Sequence, residues 1–238
     1  MVTIPIVYED NHLLVVEKPP NILCQGDKTG DPDMLTLLKQ DLKTRYNKPG
    51  NVYLGLVQRL DRPVGGVMVF ARTSKAAARL SEQIRNKTFL KTYIALVHGR
   101  PAEEKGTLVH YLVKDNRTNK VSVVDKEVPK AKEAILDYTV VTTQQGLSLV
   151  KINLHTGRPH QIRVQFATLG HPLLGDYRYG PKTKQTSRKQ ADKLEPFGLW
   201  SFKISCLHPI TKERLHFNSL PVNYELWKPF MPELLKLT

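Results

Sequence analysis

The chain has 238 residues, room for one large domain or two small ones, and its 40% hydrophobic content is ample for a packed core. Its 36 Lys and Arg against 22 Asp and Glu, a formal net charge of +14, point to a polyphosphate partner, nucleic acid above all; a basic protein that only needs solubility is the plainer alternative. No apolar run reaches the length of a membrane span, the Met1-Val2-Thr3-Ile4-Pro5 start lacks the layout of a signal peptide, and Cys24 and Cys206 have no companions at zinc spacing, so a cytoplasmic protein with two buried thiols is expected.

Ile4 to Lys18 reads as a short strand, an Asp10-Asn11 turn and a second strand, Leu13-Leu14-Val15-Val16, stopped at Lys18-Pro19-Pro20. Asn21 follows, a residue that tolerates a left-handed backbone. Asp27 to Asp33 has no apolar period and reads as a mobile loop, and Leu35 to Tyr46 as a short amphipathic helix with Leu35, Leu38 and Leu42 inward.

The stretch from Leu54 to Arg72 sets two apolar runs about a polar hinge, Gln58 to Gly66. The hinge holds one carboxylate, Asp61, between Arg59 and Arg62. It reads either as a charged turn or as an ionised group poised as nucleophile or base.

A helix follows, capped by Thr73 or Ser74, with Ala76, Ala77, Leu80 and Ile84 inward and Arg79, Glu82, Gln83 and Arg85 toward water. Phe89 to Gly99 is a strand. Pro101 to Lys114 and Asn119 to Val128 are two more, turned at Asp115-Asn116-Arg117; Ala134 to Thr143 and Leu147 to His155 form a hairpin closed by Gln144-Gln145-Gly146.

His155 to Pro172 reads as strand, glycine turn and helix, with Pro159 in the first helical turn, a stripe of Ile162, Phe166 and Leu169, and Gly170 as the stop. Arg158, His160 and Arg163 gather where a helix start favours an anion. His155 and His160 have no acidic or thiol ligand between them, which argues against a metal site. Pro181 to Lys193 carries five basic residues and is either a solvated loop or a phosphate-tracking segment. Leu199 to Ile204 and Leu215-His216-Phe217 read as strands, and Glu225 to Leu237 as a tail with one short helix.

Gln58-Arg59-Leu60-Asp61-Arg62-Pro63-Val64-Gly65-Gly66 resembles the signature of the RluA-type pseudouridine synthases, His-Arg-Leu-Asp-x-x-Thr-Ser-Gly. Further blocks occur in that family's order: Lys18-Pro19-Pro20-Asn21, Lys91-Thr92-Tyr93-Ile94-Ala95-Leu96-Val97-His98-Gly99, and Thr156-Gly157-Arg158-Pro159-His160-Gln161-Ile162-Arg163, continuing through Gly180. Gln58, Val64 and Gly65 depart from the signature, the last two losing hydroxyls.

The resemblance implies an α+β pseudouridine synthase fold: a mostly antiparallel mixed sheet with flanking helices and a central active-site cleft. It implies a single catalytic domain over residues 1–238, without the N-terminal S4 domain of many relatives. The implied activity isomerises uridine in ribosomal or transfer RNA, with no cofactor and no metal. Asp61 is the implied nucleophile or base, Arg163 its partner, Tyr93 the ring against the uracil and Arg59 the filler of the gap; Arg62, Arg158 and His160 are implied contacts to RNA. A catalytically silent RNA-binding relative is the alternative. A glycosidase is disfavoured because only one of the two carboxylates that it needs is evident.

Overall fold

The computed structural model describes residues 3–180 and 197–238, so the basic stretch within Pro181 to Lys193 lies outside the described residues. The chain divides into two compact units: Met1–Lys91 with Ser201–Pro221, and Thr92–Trp200 with Val222–Thr238.

In the first unit β1 (Ile6–Glu9) and β2 (Leu13–Lys18) form a hairpin whose turn is held by Asp10. Its Oδ1 accepts the backbone N–H of His12 and of Leu13, each at 2.7 Å. Helix α1 (Met34–Arg45) starts at Asp33, whose side chain accepts the Thr36 N–H, and buries Met34, Leu38 and Leu42. The two residues of β3 (Gly55–Leu56) pair antiparallel with the end of β4 (Gly65–Ala71), so the hinge is a strand, a long bend and a strand. β4 is buried at every residue and lies between β2 and β10 (Leu199–Leu207), which carries β11 (Arg214–Asn218) beside it.

Helix α2 (Ser74–Arg85) is capped by Thr73, as its sequence predicts, and sets Ala76 and Leu80 against Leu13, Val15, Val67, Val69 and Ile204. Each of these leucine, valine and isoleucine side chains contributes ~1.5–3 kcal/mol by leaving water. Gln83, expected at the surface, is buried instead. Its amide donates to the Leu207 carbonyl and accepts the Leu207 N–H, both at 2.8 Å, which replaces the hydrogen bonds that it would make with water.

The second unit is an antiparallel sheet in the order β5 (Leu90–His98), β9 (Leu147–Leu154), β8 (Lys132–Gln144), β6 (Lys105–Asp115), β7 (Lys120–Val124). The β8–β9 hairpin turns at Gln145 and Gly146, both with positive φ (53° and 74°), the backbone that a two-residue hairpin loop demands.

Helix α3 (Gln161–Thr168) begins two residues after Pro159, because His160 adopts a left-handed backbone (φ 51°) and closes the helix start itself. Gln165 stitches the helix to the sheet by donating to the carbonyls of Leu108 and Ala134. Ile162 and Phe166 are buried as expected, whereas Leu169, at the last position of the predicted stripe, is 38% exposed. The tail forms a 3-10 turn (Glu225–Phe230) and α4 (Met231–Leu235).

Candidate active site

Asp61 stands at the bend between β3 and β4, and its backbone neighbours are tied down from both sides. Before it, the Cys24 thiol lies 3.2 Å from both the N–H and the carbonyl of Leu60. After it, Lys18, with no exposed surface, donates from Nζ to the carbonyls of Pro19 (3.0 Å), Arg62 (3.0 Å) and Val64 (2.8 Å). An ammonium has three donors, and these bonds use all of them.

The Asn21 N–H reaches the same Arg62 carbonyl at 2.7 Å, from the left-handed backbone (φ 69°) that its sequence position anticipates. The Val64 N–H returns to the Asp61 carbonyl at 3.0 Å. Thus the hinge is held by Lys18, Cys24, Asn21 and its own backbone, without the hydroxyls that Val64 and Gly65 lack.

Burial drives the Lys18 pKa down to about 8, while the nearby Cys24 and Asp61 raise it in part. The same burial, acting first, raises the Cys24 pKa against the Leu60 hydrogen bond.

Arg59 is exposed. Arg62 is exposed as well, with Nη1 2.7 Å from Asp31 and Nε donating to the Asn21 carbonyl. Its positive charge is therefore shared with a surface carboxylate, which moderates rather than removes its use for phosphate.

In the second unit Tyr93 is a buried residue of β5, opposite Ile152 of β9. Arg163 projects from α3 and is 7% exposed. Its Nε and Nη2 donate to the two oxygens of Asp176 at 2.7 and 2.9 Å, a bidentate pair that is buried on both sides. Asp176 Oδ1 also accepts the N–H groups of Arg178 and Tyr179. Asp176 sits in the matched motif, yet only the folded chain shows what it holds.

Arg158 donates from Nε to the Glu133 carbonyl, and its N–H goes to Gln161. His160 Nδ1 lies 2.6 Å from the Tyr179 hydroxyl. His155, five residues earlier, instead bonds Asp137 at 2.6 Å. The structure therefore links His160, Tyr179, Asp176 and Arg163 in one network and leaves His155 and Arg158 on separate partners.

The family described as RNA pseudouridylate synthase matches residues 12–168, which include the hinge, β5 and the whole of α3. The chain belongs to that family. The pseudouridylate synthases that it resembles include an uncharacterized RNA pseudouridine synthase, YhcT, of Bacillus subtilis, 34% identical over 211 residues that cover 87% of this chain and 65% of the relative. The ribosomal large subunit pseudouridine synthase C of Buchnera aphidicola is 34% identical over 213 residues, 89% of this chain and 65% of the relative. The chain thus spans just under two thirds of the length of these two relatives.

The solved structure of human RNA pseudouridylate synthase domain containing 4 aligns with a TM-score of 0.76 at 23% identity, covering 97% of this chain and 92% of that one. The pseudouridine synthase fold read from the motifs is thereby shown. Among the described residues, no helix is long and apolar enough to cross a membrane.

Proposed function

We propose that this chain is an RNA pseudouridine synthase, an isomerase that converts specific uridines of ribosomal or transfer RNA to pseudouridine. The observation that carries this reading is the carboxylate of Asp61 on a hinge fastened by Lys18 and Cys24, inside a chain whose residues 12–168 match the family. The name of the Buchnera aphidicola relative, a ribosomal large subunit pseudouridine synthase, supports ribosomal RNA as the first substrate to test.

The reaction breaks the bond between uracil N1 and the ribose, turns the base and joins C5 to the sugar; C5 loses its proton to solvent and N1 takes one up. Electrons balance without a redox partner, so the chemistry calls for no cofactor. The target base leaves the stack to be reached, which requires a basic surface for the backbone and a ring for the base. In this reading Asp61 acts as nucleophile or base and Arg163 orients and neutralises it. Tyr93 stacks on the uracil, Arg59 fills the gap left by the flipped base, and Arg62, Arg158 and His160 meet the RNA. The net charge of +14 supports salt-sensitive RNA binding.

The test is tritium release from RNA labelled at uracil C5, using transcripts from a source that lacks this enzyme. Release by the wild-type protein that vanishes in Asp61→Ala, with RNA affinity retained, supports the synthase. Salt-sensitive RNA binding with no release from either protein supports the silent binding relative instead.

A further inference from the structure

Arg163 is held by an ion pair and by flanking aromatic rings. The bidentate pair with Asp176 fixes the direction of the guanidinium within its own plane, but such a pair can still rock about the line joining the two groups. Two aromatic rings restrain that motion. The guanidinium carbon lies 5.2 Å from the centroid of Tyr179 and 5.1 Å from that of Phe197, within cation–π range of both.

Tyr179 is itself fastened at each end. Its backbone N–H donates to Asp176 Oδ1 at 3.1 Å, and its hydroxyl accepts the Val121 N–H of β7 at 2.9 Å and bonds His160 Nδ1 at 2.6 Å. Arg178 donates to the carbonyls of Thr118 and Asn119 in the adjoining β6–β7 turn. The short segment from Asp176 to Tyr179 therefore grips the arginine with one side and the β6–β7 hairpin with the other.

We propose that Tyr179 and Phe197 are positioning residues: they fix the plane of the Arg163 guanidinium, while Asp176 fixes its direction. The inference rests on the reading of Arg163 as a catalytic residue. Lysine at this position would lose both the bidentate fork and the plane that the rings set, because its ammonium is a point charge. The demand is geometric, since a misplacement of about 1 Å can cost on the order of 100-fold in rate.

The experiment compares Phe197→Leu, Phe197→Tyr, Tyr179→Leu and Tyr179→Phe in single-turnover tritium release, with enzyme saturating, alongside RNA Kd at one salt concentration and thermal melts. Loss of either ring lowers the single-turnover rate about tenfold or more, with Kd within about threefold. Phe197→Tyr, which keeps a ring, stays near wild type, and Tyr179→Phe falls between, because it keeps the ring and loses the Val121 and His160 bonds. A merely structural role predicts instead melts and soluble yield that fall together with an unchanged rate at saturation.

An unchanged rate in both Leu variants, a loss carried by Kd alone, or an equal loss in Phe197→Tyr overturns the inference while leaving the synthase reading intact. A wild-type protein without release overturns both.

Discussion

Lys18 Nζ lies 2.8 Å from the Val64 carbonyl, 46 residues further along the chain, and this bond with its two companions decides where the backbone after Asp61 sits. The residue is a buried cation, and three carbonyl dipoles hold it.

Lys18→Met therefore removes the cost of burying a charge but strips the Pro19 and Val64 carbonyls of a donor, each loss costing ~1–3 kcal/mol, while Arg62 keeps the Asn21 N–H. The expected net loss is about 2 kcal/mol in urea unfolding at pH 7, accompanied by a slower tritium release. The Lys18 pKa in the folded protein, about 8, lies below its ordinary 10.5. Below about pH 8 the cost of the buried charge is fully present; as pH rises toward 10.5 the folded state sheds the proton first and wild type gains stability. The gap between wild type and Lys18→Met should widen over that window, and a gap that narrows contradicts this account.

Asp176→Ala removes from the buried Arg163 guanidinium the carboxylate that accepts its Nε and Nη2 hydrogen bonds. Breaking such a pair costs ~3–5 kcal/mol, whereas removing both charges costs far less. Thermal melts should show the double variant Asp176→Ala with Arg163→Met recovering much of what Asp176→Ala loses. Equal melting temperatures for the two proteins contradict the pairing as the cause.

Asp10 joins two parts of the first unit 198 residues apart: its Oδ2 accepts from Tyr8 and from His208 Nε2, at 2.8 and 2.9 Å. Burial pushes its pKa up, yet the N–H groups of His12 and Leu13, with Tyr8 and His208, outweigh that and hold it below 3.8. A depressed carboxylate stabilises the fold above its unfolded value and loses that contribution as pH falls through its folded one. Asp10→Asn should cost ~1–3 kcal/mol at pH 7. The difference from wild type should shrink below pH 3.8, as read from urea midpoints at descending pH.

Gly66 has φ 114°, and a Cβ there would stand 2.3 Å from the Ser201 carbonyl oxygen. Gly66→Ala is expected to cost more than about 3 kcal/mol through strain and collision with backbone. Gly50, with nothing within 4 Å of such a Cβ, is the control: Gly50→Ala should shift stability by less than about 1 kcal/mol in the same melt.

Where local chemistry decides a feature, the sequence suffices to read it. The Gln145-Gly146 turn, the Thr73 cap and the left-handed Asn21 all follow from the residues on the spot. Gln83 and the start of α3 do not, because their partners are remote: Leu207 lies 124 residues from Gln83, and Tyr179 holds His160 from 19 residues away. The candidate site divides in the same manner. The hinge carrying Asp61 is legible in its motif, but Lys18 and Cys24 as its fastenings, and Asp176 as the partner of Arg163, emerge only when strands and loops distant in sequence meet.

The order of the chain also shapes how it is made. β4 needs β10 as a neighbour, and 127 residues lie between Ala71, the end of β4, and Leu199, the start of β10. At roughly 5–20 residues per second, a ribosome leaves the part of the β4 edge beyond its short pairing with β3 without β10 for on the order of 10 s. Such an edge invites pairing with other nascent chains, so chaperone occupancy during synthesis is expected to raise the yield of this protein.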